Sequence, residues 1–91
     1  MSLNTKERSA LKSRAHHLKP VIRIGQHGVS DNVISETDNA LTTHELIKVH
    51  IQHDEREIRL QYANTLAEKN HAELVHKIGK IFILYRKNIE T

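Results

Sequence analysis

Ten residues constrain this chain more than any others: Val21-Ile22-Arg23-Ile24, then Gly25-Gln26-His27-Gly28, then Val29 and Ser30. A short run rich in β-branched side chains favours an extended strand. Two glycines three apart favour a loop whose backbone tolerates positive φ and close approach, since neither carries a Cβ. A serine ahead of a helical pattern supplies an N-cap. Strand, GxxG loop and capped helix in succession make the opening of a βα unit, so the chain is read as α/β.

The rest of the sequence extends that reading. A first helix is expected from Thr5 to His17, with Leu11, Ala15 and Leu18 as its apolar stripe and Arg8, Lys12 and His16 as a cationic row beside it. Pro20 ends that element, and Val21–Ile24 forms the first strand. Ser30 caps a second helix, with Val29 and Ile34 as a hydrophobic staple and Val33, Thr37, Ala40 and Leu41 as its buried face. Leu46–Ile51 is a second strand, with Ile47, Val49 and Ile51 on one side and Lys48 and His50 on the other.

Asp54 with Glu57 matches a capping box for a third helix whose core row is Ile58, Tyr62 and Leu66 and whose stop is Asn70. Glu73–Ile78 and Ile81–Arg86 flank Gly79-Lys80, a pair suited to a type II′ turn. The last strand is apolar on both faces and therefore central, whereas Glu73, His76 and Lys77 mark the preceding one as an edge. The expected architecture is a two-layer α-β-α-β-α-β-β domain spanning residues 1–91, a four-stranded mixed sheet with the second and third helices on one face.

Charge is distributed unevenly. Between positions 6 and 23, Lys6, Arg8, Lys12, Arg14, Lys19 and Arg23 stand against Glu7 alone, a net +5. Residues 29–45 carry Asp31, Glu36, Asp38 and Glu45 without Lys or Arg, a net −4. The tail from Glu68 to Glu90 is again basic, at +2. A one-sided field of this kind attracts and orients a polyanion. The loop between Ile24 and Ser30 lies next to the basic segment, where its backbone and the positive end of the following helix would meet a phosphate.

Other classes fit poorly. The chain has no cysteine, hence no disulfide or thiolate metal site. No apolar run approaches a membrane span, and Met1–Arg8 lacks the apolar core of a secretory signal, so a cytoplasmic location is expected. His44, His50 and His53 lack the spacing of a metal site, and no cofactor is expected. There is no phosphate-binding GK[ST] loop, dinucleotide fingerprint or nucleophile triad, so the chain is not expected to be an enzyme or to take a small-molecule substrate. Phe82, Tyr62 and Tyr85 are its only aromatics, each in an apolar row, which disfavours base stacking on an aromatic platform.

Gly25-Gln26-His27-Gly28 after Val21–Ile24, then His44-Glu45-Leu46-Ile47-Lys48-Val49, then Ile78-Gly79-Lys80 leading to Leu84-Tyr85-Arg86, together resemble the CRM domain in its bacterial stand-alone, YhbY-type form. The resemblance runs from Leu11 to Arg86. It implies RNA binding, association with large-subunit ribosomal precursors, strand order 1-2-4-3 and a fold like the C-terminal domain of translation initiation factor three. The loop is also similar to the phosphate clamp of KH domains, although those place it between two helices.

The sequence thus points to a monomeric, non-catalytic binder of ribosomal RNA with no membrane partner. Its expected contacts are Arg8, Lys12, Arg14, His16, Lys19, Arg23, Gly25, Gln26, His27 and Gly28. The alternative is an adaptor whose acidic second helix, through Glu36 and Asp38, binds a basic ribosomal or assembly protein.

Overall fold

A computed structural model describes residues 3–88; the terminal residues of the signal and tail-charge readings, Met1, Ser2 and Glu90 among them, lie outside that range. The elements are α1 (Thr5–Ala15), β1 (Pro20–Ile24), α2 (Asp31–His44), β2 (Leu46–Ile51), α3 (Arg56–Lys69), β3 (Glu73–Ile78) and β4 (Ile81–Tyr85). The strands form one mixed sheet in the order β1-β2-β4-β3. β1 runs parallel to β2, and β4 pairs antiparallel with both β2 and β3. The element sequence, the central position of β4 and the edge position of β3 all follow the sequence reading.

Helices lie on both faces of the sheet. Leu41 of α2 and Ala63, Leu66 and Ala67 of α3 pack on Ile22, Ile24, Ile47, Val49, Ile51, Phe82 and Leu84 in the larger of two buried clusters. Leu11 and Ala15 of α1 pack on Leu46, Val75 and Ile83 in the smaller one. The two-layer expectation holds for the sheet with α2 and α3; α1 adds a third, partial layer opposite them. The alternation of β2 and β4 requires this, because Leu46 and Ile83 point away from the main cluster and would otherwise face water.

Several local details depart from expectation. α1 ends at Ala15, so Leu18 falls beyond the helix and is exposed. Its start carries a capping box that the sequence reading passed over: the Glu7 N–H donates to Asn4 Oδ1 (2.7 Å) and the Asn4 N–H to Glu7 Oε1 (3.1 Å). For α3 the N-cap is Glu55, without a side-chain capping bond, and not Asp54. Arg59 causes the shift. Its Nη1 donates to the carbonyls of His53 (2.7 Å) and Asp54 (3.0 Å), while the Glu55 N–H donates to His53 Nδ1 (3.0 Å). Those bonds hold residues 53–55 off the helix, and the Asp54 carboxylate stands by Lys80 (3.9 Å) instead.

The inward row of α3 is accordingly Leu60, Ala63, Leu66 and Ala67, with Tyr62 beside it, and Ile58 is half-buried outside both clusters. α3 stops at Asn70, as expected, but His71 takes the left-handed conformation (φ 53°). Its N–H bonds the Glu68 carbonyl and that of Ala72 bonds Ala67, which completes a Schellman motif. Ser30 Oγ accepts from the Val33 N–H (3.2 Å), the cap expected for α2. Gly79 has φ 58° while Lys80 is not in the positive-φ region, the pattern of a type II′ turn. β4 ends at Tyr85, one residue short of Arg86.

Candidate nucleic-acid interface

The GxxG segment is a reverse turn in which the Gly28 N–H donates to the Gly25 carbonyl (3.2 Å). Gly25, Gln26 and His27 are exposed, and Gly28 is buried. The two glycines therefore serve different purposes. Gly28 has φ 78°, and a Cβ there would stand 3.0 Å from Tyr62 Cζ, so this glycine lets the loop seat on α3. At Gly25 nothing among the described residues, its chain neighbours aside, lies within 4 Å of where a Cβ would stand, which leaves that side of the turn open. The end of α2 contributes less than the spacing implied. Ser30 already occupies the Val33 N–H, and Asp31 places a carboxylate in the first turn.

The cations expected from the sequence divide into two groups. Lys12, Arg14, His16, Lys19 and Arg23 are exposed. Lys12 and His16 line a groove with Ser9, Ser13 and His17, and Arg14 and Lys19 flank another with Leu18, Val21 and His44. Arg8 is different: its Nη1 donates to the carbonyls of Leu74 (2.7 Å) and Val75 (3.3 Å), and its Nη2 lies 3.9 Å from Glu73 Oε2. The carbonyls sit at the irregularity between Leu74 and His76 on edge strand β3. Arg8 thus covers an exposed edge and docks α1, which ties it to the fold.

The same face of the sheet gathers cations that lie far apart in sequence. Arg23 of β1 pairs with His50 of β2. Lys48, on the same side of β2, reaches the His16 carbonyl at the end of α1 (3.4 Å). His50 Nδ1 is buried without a hydrogen-bond partner among the described residues. Arg23, Lys48 and His50 therefore lie on the sheet face that also carries α1, with β1 leading directly into the GxxG loop.

Sequence comparison agrees with this architecture. The model of the CRS1 / YhbY (CRM) domain matches residues 3–86. The chain belongs to the CRM domain family. A protein of Haemophilus influenzae named RNA-binding protein is 40% identical over 90 residues, covering 99% of this chain and 91% of its own. The solution structure of a Staphylococcus aureus protein, described as a candidate RNA binder, superposes with a TM-score of 0.86 at 36% identity. That match covers 98% of this chain and 93% of the other.

Within this CRM domain the histidines are dispersed. His53 accepts from the Glu55 N–H ahead of α3 and meets Tyr62 edge-on (centroids 5.9 Å apart), His44 closes α2, and His50 lies in the sheet. No group of three or more His, Cys, Asp or Glu side chains among the described residues converges to hold a metal. Burial lowers the His76 pKa from its ordinary value, and the nearby Lys12 charge adds to the effect. No helix of the described residues is long and apolar enough to cross a membrane.

The acidic helix is only partly free for a partner. Arg86 donates to Asp38 Oδ1 (2.8 Å), to the Asp38 carbonyl (3.0 Å) and to Thr42 Oγ1 (2.9 Å). Asp38 is thus engaged by the chain's own C-terminal segment. The contacts expected from the sequence did not include Arg56, Arg59, Lys77 and Lys80, which the fold brings to the end of the sheet where the hairpin turn and the end of β1 meet β2. Those residues are separated in sequence and interleaved with carboxylates, so they form no visible run.

Proposed function

We propose that this chain is a cytoplasmic, non-catalytic RNA-binding protein that engages structured ribosomal RNA during assembly of the large ribosomal subunit. The observation that carries the reading is the GxxG turn: it is open at Gly25, exposed at Gln26 and His27, and follows directly on the strand bearing Arg23. A phosphate approaching Gly25 meets backbone rather than side chain, with Arg23 and the exposed cations of α1 supplying a sequence-independent attraction. The names of the similar Haemophilus and Staphylococcus proteins support RNA as the ligand class.

Specificity then rests on RNA shape and backbone, because Tyr62, Phe82 and Tyr85 are taken up in packing and offer no stacking platform. The test is ultraviolet crosslinking in cells followed by sequencing of the attached RNA. Reads concentrated in large-subunit precursor RNA, lost when Gly25 carries a bulky side chain, are the expected result. Recovery of the same protein complexes after ribonuclease treatment, with no enriched RNA, would overturn it.

A further inference from the structure

A second group of cations lies outside the basic N-terminal segment. Arg56 and Arg59 on the first turns of α3 and Lys77 on β3 line an open cavity of about 310 Å³, completed by Leu60, Gly79 and Phe82. Lys77 pairs with Phe82 across the sheet, which puts it on the α3 side. Among the described residues no carboxylate lines the cavity, although Glu55 and Glu57 occupy the same end of α3. A lysine on an edge strand discourages strand pairing. That accounts for Lys77 alone but leaves the two arginines beside it unexplained.

The cavity is built for an anion. The two bonds from Arg59 Nη1 to the His53 and Asp54 carbonyls fix its guanidinium, and its Nε is buried without a partner among the described residues. A guanidinium held from one side loses little freedom when its remaining donors meet a phosphate. α3 also lacks a side-chain cap, which leaves its first-turn N–H groups without a side-chain acceptor, although Glu57 places a carboxylate in the same turn. Among the described residues, nothing beyond its chain neighbours lies within 4 Å of where a Cβ of Gly79 would stand, so the space beside this lining residue is open. Leu60 and Phe82 give an apolar floor suited to a sugar.

Continuous contacts connect this cavity to the GxxG loop. Gly28 seats on Tyr62, Tyr62 meets the His53 ring, and the His53 carbonyl accepts from Arg59. The Gln52 N–H donates to the Ile24 carbonyl (2.7 Å) and the Ile51 N–H to that of Lys80 (2.9 Å), so the loop, the end of β2 and the hairpin turn meet at one end of the sheet.

We propose that the Arg56–Arg59–Lys77 cavity is a second phosphate position for the RNA strand held at the GxxG loop, so that the strand passes from the loop across α3 to the hairpin. The inference rests on the RNA-binding reading above. The side chains of Arg56 and Lys77 are exposed and make no hydrogen bond among the described residues, so the double variant Arg56→Gln/Lys77→Gln keeps the fold. Arg59 is left intact because it holds residues 53–55.

Binding of a ribosomal RNA fragment is measured from about 50 to 200 mM salt, where removing one phosphate partner flattens the log–log slope by ~0.7–0.9. The double variant should show at least one such step. The amide resonances of Leu60 and Gly79 should shift on RNA addition in the wild type, and much less in the variant. A wild type that binds RNA beside a variant with unchanged slope and unmoved Gly79 refutes the second position alone. A wild type that binds no RNA refutes both readings. If adenosine monophosphate moves Leu60 and Gly79 while RNA does not, the cavity serves a free nucleotide and the proposal fails.

Discussion

Gly28 and Tyr62 are fitted to one another: a Cβ on the glycine would stand 3.0 Å from Cζ and 3.1 Å from the hydroxyl oxygen of the tyrosine. This fit fixes the GxxG turn against α3, and the positive φ of Gly28 bars ordinary side chains for a second reason. A negatively charged substitution at Gly28 would therefore report on folding before it reported on RNA. Gly25 is the position that isolates the ligand.

Gly28→Ala should destabilise the protein by about 2–5 kcal/mol, from left-handed strain of ~1–2 kcal/mol together with overpacking of ~1–3 kcal/mol. Gly25→Asp should leave the melting temperature nearly unchanged, since open space surrounds that position. It should weaken RNA binding sharply. Melting and binding curves of the two variants together check this; full RNA affinity in a folded Gly25→Asp protein would reduce the loop to a turn.

Arg8 and Lys12 lie one turn apart on α1 and should behave oppositely. Arg8→Ala leaves the Leu74 and Val75 carbonyls without their guanidinium donor and should cost about 1.5–3 kcal/mol of stability, the range for a hydrogen bond to a charged group. Lys12→Ala should leave stability within ~0.5 kcal/mol, as for an exposed site, and flatten the salt dependence of RNA binding. Chemical denaturation and RNA titration on the same two proteins separate the roles.

Arg86 joins the C-terminal segment to α2 and to the Asn70 carbonyl that ends α3 (3.1 Å). Arg86→Ala should lower the melting temperature by on the order of 10 °C, which corresponds to about 2 kcal/mol in a domain of this size. Arg86→Lys should restore only part of that, because an ammonium lacks the planar fork that reaches Asp38, Thr42 and Asn70 together. Calorimetry on both variants is the check. Equal melting temperatures for Arg86→Lys and wild type would show that charge alone suffices.

His76 makes stability depend on pH. Burial, helped by Lys12, lowers its folded-state pKa below the ordinary 6.5. Between those two values the unfolded chain binds a proton that the folded protein does not, so stability falls as pH drops from about 7 through the imidazole range. His76→Gln should remove that part of the decline. Lys12→Gln should move the His76 titration, followed by the imidazole carbon-bound protons in NMR, toward its ordinary value. An unshifted titration would place Lys12 too far away to act.

Most of the scaffold is legible in the sequence because its signals are local. Ser30 caps a helix whose staple pair is Val29 and Ile34, Gly79 sets a two-residue turn, and the continuous apolar run Ile81–Leu84 fixes a central strand. Each depends on backbone preference or side-chain period within a turn or a strand. The tertiary structure decided which of several locally possible partners each side chain takes. Arg8 belongs to the cationic row by spacing, yet it is bound to Leu74, sixty-six residues away. Asp54 and Glu57 match a capping box, but Arg59 and His53 hold the chain so that the helix begins after Glu55. Gly25 and Gly28 are equivalent in the motif and become different only when Tyr62 closes on one of them. Arg56 and Lys77 meet because α3 crosses above β4 to reach β3. Local preferences set the elements, whereas long-range packing set which charges are taken up inside the fold and which stay exposed.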